Sequence, residues 1–198
     1  MGKRTSVKHA RWRNLLLELL LLVVVMLGAV KAVQFGLDRY YRNAYPMQYS
    51  ALVDAACQKN NLDRAFVYAL IRTESGFDPN AVSNVGARGL MQLMPDAFDW
   101  VRMRSGEEST TDYDQLFDPE INITYGTGML RILFDEFETG DNVLCAYHAG
   151  WGSVKKWLAN PEYAPDGENI AEIPFPDTAH YVSKVNKAAA IYRKLYDL

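Results

Sequence analysis

DRAFVYALIRTESG, Asp63 to Gly76, sets the class of this fold. Val67, Leu70, Ile71 and Glu74 follow the i, i+3, i+4, i+7 spacing of one helix face, with Asp63 placed to cap the first turn and Gly76 to end the last. The period predicts a helix whose core-facing stripe finishes on a carboxylate. Apolar surroundings disfavour the charged form, and the negative end of the helix dipole repels an anion in the final turn. Both effects raise the pKa of Glu74 and hold it protonated near neutral pH, the state a general acid requires. Periodicity leaves a second reading open, in which Glu74 pairs with Arg72 or Arg88 or turns to water.

Downstream, Gly86-Ala87-Arg88-Gly89 supplies a bend where backbone can approach a ligand closely. Leu90-Met91-Gln92-Leu93-Met94-Pro95 then sets one amide among flexible apolar side chains. Gln92 there suits a sugar amide or hydroxyl, with thioethers against the apolar face of the ring. It equally suits a core loop in which the amide bonds to backbone.

Outward from this point, the segments 47–59, 63–75, 95–103, 119–138, 141–149, 150–159 and 178–196 carry apolar residues at helical spacing, separated by Gly, Pro, Asn and Asp. Asp118-Pro119 places a cap before a proline at the first helical position. No stretch sustains the alternation of a strand with a hairpin turn. The fold class is mostly α: one compact helical domain over residues 47–198, with no internal repeat.

The chain has 198 residues, 49% of them apolar and 23% charged, the composition of a globular protein. Its net charge of -3 is unevenly distributed, since residues 1–33 hold six of the 21 Lys+Arg and only Glu18 of the 24 acidic residues. The rest carries 15 basic against 23 acidic residues, net -8, which argues against nucleic acid as a partner. Lys3, Arg4, Lys8, Arg11 and Arg13 precede the apolar run Leu15 to Val30, interrupted only by Glu18. This pattern predicts a basic cytoplasmic tail (1–14), a transmembrane signal-anchor (15–33), a stalk (34–46) and a domain on the extracytoplasmic side. About 20 residues cross a bilayer, a length met here if Lys31 snorkels. The competing expectation is a cleaved signal peptide, cut near Val30-Lys31-Ala32.

Cys57 and Cys145 stand in helix-like apolar contexts and read first as small buried hydrophobes, although an exported chain could pair them. His9, His148 and His180 are scattered, so no metal site is expected.

Taken together, ESGFDPNAVSNVGARGLMQLMP (Glu74 to Pro95) resembles the signature of the soluble lytic transglycosylase catalytic domain, glycoside hydrolase family 23, which shares its fold with goose-type lysozyme. The similarity continues in order through DPEINITYGTGML (Asp118 to Leu130), AYHAGWGSV (Ala146 to Val154) and IPFPDTAHYVSKV (Ile173 to Val185). The resemblance implies a lysozyme-like helical fold and cleavage of the β-1,4 bond between N-acetylmuramic acid and N-acetylglucosamine in peptidoglycan glycan strands. It implies Glu74 as the sole catalytic acid and base, with no cofactor and no metal. Ser75, Gly89, Met91, Gln92, Tyr147, His148 and Tyr181 are its implied substrate-binding residues. A membrane tether would confine cutting to nearby wall and suits work beside cell-envelope assembly partners.

Two departures stand out. His148 occupies the family's usual asparagine position, and Asp177-Thr178-Ala179 replaces a typical Glu-Thr-Arg. The histidine adds a group titrating near neutrality and bears on substrate contacts and pH optimum. Two alternatives remain at this level. A goose-lysozyme-like hydrolase would need a second acid, with Asp96, Asp99 or Asp112 as candidates. A catalytically silent wall-binding or assembly protein would need none.

Overall fold

The computed structural model describes residues 3–106 and 111–198, with the side chains of residues 3–11, 13 and 105 left aside. The expected basic tail therefore falls largely outside the described side chains. The chain divides into two units, Met1–Pro46 and Met47–Leu198.

The first unit is one unbroken helix, α1 (Lys3–Ala44). Its stretch Asn14–Ala44 is long and apolar enough to cross a membrane, and its side chains from Leu15 to Val33 lie exposed. An α-helix that is apolar on every face cannot satisfy itself in water. The expected stalk is not a separate element: the same helix runs through it, supported by an Arg42–Asp38 ion pair (2.8 Å) one turn apart.

In the second unit, α2 (Ser50–Asn60), α3 (Arg64–Glu74), α4 (Pro95–Ser105), α5 (Pro119–Glu136), α6 (Gly140–Ala149), α7 (Trp151–Leu158) and α8 (Pro176–Tyr196) enclose a helical core. Among the described residues there are helices and two isolated bridges, joining Arg88 to Val82 and to Leu93. The 3-10 turn Tyr113–Phe117 was not expected, because five residues are too few to show a period. Caps form as the residue types dictate. Asp63 accepts from the Phe66 N–H (3.2 Å), and Asp118 from those of Glu120 (2.8 Å) and Ile121 (3.1 Å).

α3 differs from the one-faced helix that its stripe predicts. Every residue from Ala65 to Ile71 is buried, since α3 packs along α8 and meets α2, while Phe66 touches Phe134 of α5 edge-on. Tyr68, off the stripe, is fully buried, stacks on Tyr192 and donates to Asp54 (3.1 Å). A helix at the centre of a bundle buries all its faces, and its last turn is then held rigidly. That last turn carries Glu74. Cys57 and Cys145 are both buried free thiols, their pKa pushed up to about 12 by burial, so they serve as core hydrophobes.

Candidate active site

Two elements, α8 and α6, bring side chains to Glu74 of α3. Tyr181 of α8 donates its hydroxyl to the Glu74 Oε1 at 2.6 Å. Burial raises the phenol of Tyr147, near the end of α6, well above the usual range, and the charge of Glu74 adds to it. Burial pushes the Glu74 carboxyl up to about 7, against opposing pulls from the Tyr181 hydrogen bond and the positive charge of Lys184. The carboxyl is therefore poised to hold and release a proton near neutrality. Arg88, one of the alternative partners, pairs with Asp114 instead and lies over the Tyr113 ring.

The loop between α3 and α4 shows the backbone-bonded arrangement of Gln92 that the sequence left open beside a ligand contact. Gln92, expected against ligand, adopts a left-handed backbone (φ 49°) and donates its amide to the carbonyls of Gly89 (2.9 Å) and Ala81 (3.0 Å). Ser75 ties the end of α3 to the loop, its hydroxyl donating to Leu90 O (2.8 Å) and accepting from Phe77 N (3.1 Å). Gly89 is buried with φ +74°, and any Cβ there would overlap the Asn122 amide and the Leu116 carbonyl. Met91 is fully buried against Gly126. All four residues make bracing contacts within the loop and to its neighbours. The reason is that a buried loop must satisfy its own backbone polar groups first.

Asn122 is the residue that sequence reasoning missed. It is completely buried on α5, donating to the carbonyls of Leu116 (2.8 Å) and Arg88 (3.0 Å) while accepting from Met91 N (2.8 Å). Tyr147 completes the brace by donating to Met91 O at 2.7 Å. Asn122 does lie in the quoted DPEINITYGTGML block, but an asparagine inside a helix reads as exposed unless its partners are known.

An open groove of about 720 Å³ runs beside Tyr147, lined among others by Asp96, Trp100, Arg104, Glu136 and Trp151. A second, of about 500 Å³, is lined by Phe175, Pro176, Asp177 and Thr178. Both include His148 and Ala149. Glu74 lines neither groove. Its hydrogen-bond partner Tyr181 carries His148, which lines both, stacked on its ring (centroids 4.5 Å). Apolar and aromatic walls with scattered charges, in two grooves that share His148, suit an extended polar polymer with apolar ring faces.

The Transglycosylase SLT domain family matches residues 51–170. The chain belongs to this family. The SLT domain is 34% identical over 153 residues to the soluble lytic murein transglycosylase of Escherichia coli strain K12, covering 75% of this chain and 23% of that protein. It is 31% identical over 168 residues to the membrane-bound lytic murein transglycosylase C of Salmonella typhi, covering 74% of this chain and 47% of that one. The chain thus spans about a quarter to a half of the length of these curated relatives. Among solved structures, the 70 kDa soluble lytic transglycosylase of Escherichia coli superposes with a TM-score of 0.69 at 31% identity, over 78% of this chain and 25% of that one. An inactive glutamate-to-glutamine mutant of a lytic transglycosylase from Pseudomonas aeruginosa superposes with a TM-score of 0.67 at 30% identity, over 77% and 25%. The fold of the SLT domain is therefore that of the lytic transglycosylases, the mostly helical architecture expected from the sequence.

Proposed function

We propose that this protein is a membrane-tethered peptidoglycan lytic transglycosylase that cuts the bond between N-acetylmuramic acid and N-acetylglucosamine and closes a 1,6-anhydro ring. The observation that carries this reading is a carboxyl at the end of a buried helix, pushed up to about 7 and fixed by the Tyr181 hydroxyl at 2.6 Å. Protonated Glu74 donates to the leaving oxygen while the 2-acetamido group of the muramyl sugar stabilises the anomeric carbon. The resulting carboxylate, stabilised by the Tyr181 hydroxyl, then takes the proton of the 6-hydroxyl as that oxygen bonds to the anomeric carbon. One residue thus acts first as acid and then as base.

The hydrolytic alternative needs a second carboxylate. Asp99 pairs with Arg102 (3.0 Å) and Asp112 caps the 3-10 turn, so both are engaged elsewhere. Asp96 lines the larger groove and is the remaining candidate. Mass spectrometry of digested peptidoglycan decides between the readings: anhydro-muropeptides are expected, and reducing-end products alone would establish a hydrolase. Binding without any released muropeptide would instead establish the silent wall-binding protein.

The domain scheme follows the same reading, with residues 1–14 cytoplasmic, residues 15–33 as a retained anchor, residues 34–46 as a stalk and residues 47–198 as the extracytoplasmic catalytic domain. The basic tail beside the apolar run supports this orientation. The tether favours cutting near the bilayer, where cell-envelope assembly partners would need a gap. Alkaline carbonate washing should leave the full-length chain in the membrane pellet. Release of a chain shortened near Ala32 would identify a cleaved signal peptide instead.

A further inference from the structure

One of the two positions that depart from the family pattern is stacked on the tyrosine whose phenol aims at Glu74. His148 is exposed where the two grooves meet, and one face of its ring lies on the Tyr181 ring with an interplanar angle of 29°. Its Nδ1 is 3.1 Å from the Oγ1 of Thr178, a threonine only 2% exposed on the same helix as Tyr181. The imidazole is thus held at two points of α8, one turn apart, and an asparagine side chain has no ring with which to reproduce the stack.

We propose that His148 is a positioning residue, which clamps the Tyr181 ring between α6 and α8 so that the phenol stays aimed at Glu74. This rests on the reading of Glu74 as the acid. Tyr181 is buried, and a hydroxyl 2.6 Å from its acceptor tolerates little ring rotation before the bond is lost. The exposed imidazole closes the groove side of that ring. His148 lines both grooves, whereas Tyr181 lines neither.

The titratable and charged groups around this cluster are Asp177, Tyr181 and Lys184 of α8, Tyr147 of α6, Glu74 of α3, and Asp96, Arg104 and Glu136 along the larger groove. Burial lowers the imidazole pKa and Asp177 opposes that, so near neutrality the clamp works chiefly as a neutral ring.

The test uses the full chain in detergent micelles, with the Glu74 carboxyl followed by carbon NMR across pH and turnover measured on soluble glycan strands. Because the Tyr181 bond lowers the Glu74 pKa, losing it moves the midpoint upward from about 7. Tyr181→Phe should show this shift and lower kcat about tenfold, the effect of one charge-assisted hydrogen bond. His148→Ala should reproduce both changes, with KM altered less than about twofold. His148→Phe keeps the ring but has no charge, and should restore both to near wild type. An unmoved midpoint in either Tyr181→Phe or His148→Ala overturns the proposal, as does an unchanged kcat with a raised KM in His148→Ala. Failure of His148→Phe to restore the midpoint would do the same, since it would assign the effect to the Nδ1 contact with Thr178 and not to the stacked ring. The NMR midpoint does not depend on turnover, so these outcomes remain distinct from a failure of Glu74 as the acid, which an active Glu74→Gln protein would reveal.

Discussion

Glu74→Gln is expected to give a folded protein in which release of anhydro-muropeptides falls by about 10²–10⁴-fold, the range that a positioned acid or base contributes. Glutamine keeps the volume and an acceptor for the Tyr181 hydroxyl, but it can neither give nor take a proton. The same substitution should stabilise the fold, and the sign follows from the direction of the shift. The Glu74 pKa is raised from 4.5 to about 7, so the native state binds a proton that the unfolded chain releases at intermediate pH. Stability from this group is complete below about pH 4.5 and is lost as pH rises through about 7. The partial exposure of Glu74 reduces the full linkage energy, leaving about 2 kcal/mol. E74Q should therefore melt several degrees above wild type at pH 8.5 and nearly with it at pH 4. Wild-type activity should fall on the alkaline side, through the same midpoint near 7. Thermal unfolding at the two pH values, beside muropeptide analysis, checks all three statements. Clearing of peptidoglycan by E74Q at the wild-type rate would remove Glu74 from the reaction.

The second large effect concerns the brace behind the site. Gly89→Ala forces an alanine into φ +74° and drives its methyl into the Asn122 amide and the Leu116 carbonyl. The left-handed backbone alone costs about 1–2 kcal/mol. Displacing Asn122 breaks bonds to Leu116, Arg88 and Met91, and leaving any one of these groups buried without a partner costs about 1–3 kcal/mol. A total loss of at least about 4 kcal/mol is expected, a large share of the stability of an ordinary domain. Urea unfolding followed by tryptophan fluorescence measures it. A midpoint equal to that of wild type would show that the loop relaxes without disturbing Asn122. The brace also carries Met91 O, the acceptor of Tyr147, so partial survivors should lose activity before they lose helix content.

Much of this architecture was legible without coordinates. The helical class, the ends of α3 and α5, the caps at Asp63 and Asp118 and the place of Glu74 on an apolar stripe all come from local rules, in which a residue and its neighbours within one or two turns settle the outcome. The apolar length of α1 is equally local. The order of the four similar blocks named the family before any superposition did.

The roles of Ser75, Gly89, Met91 and Gln92 were not legible, although their importance was. Sequence indicates that a polar or flexible residue is needed in a loop. It does not indicate whether ligand or backbone will satisfy it. Tyr181 reaches Glu74 across 107 positions, and Asn122 reaches Met91 across 31. Such pairings depend on where α8 and α5 lie against α3, which no short-range preference specifies. Local propensity thus set the helices and placed a carboxylate at the end of one. Only tertiary packing removed water from that carboxylate, supplied its phenol and enclosed the loop behind it, because desolvation and directional hydrogen bonds exist only once distant segments meet.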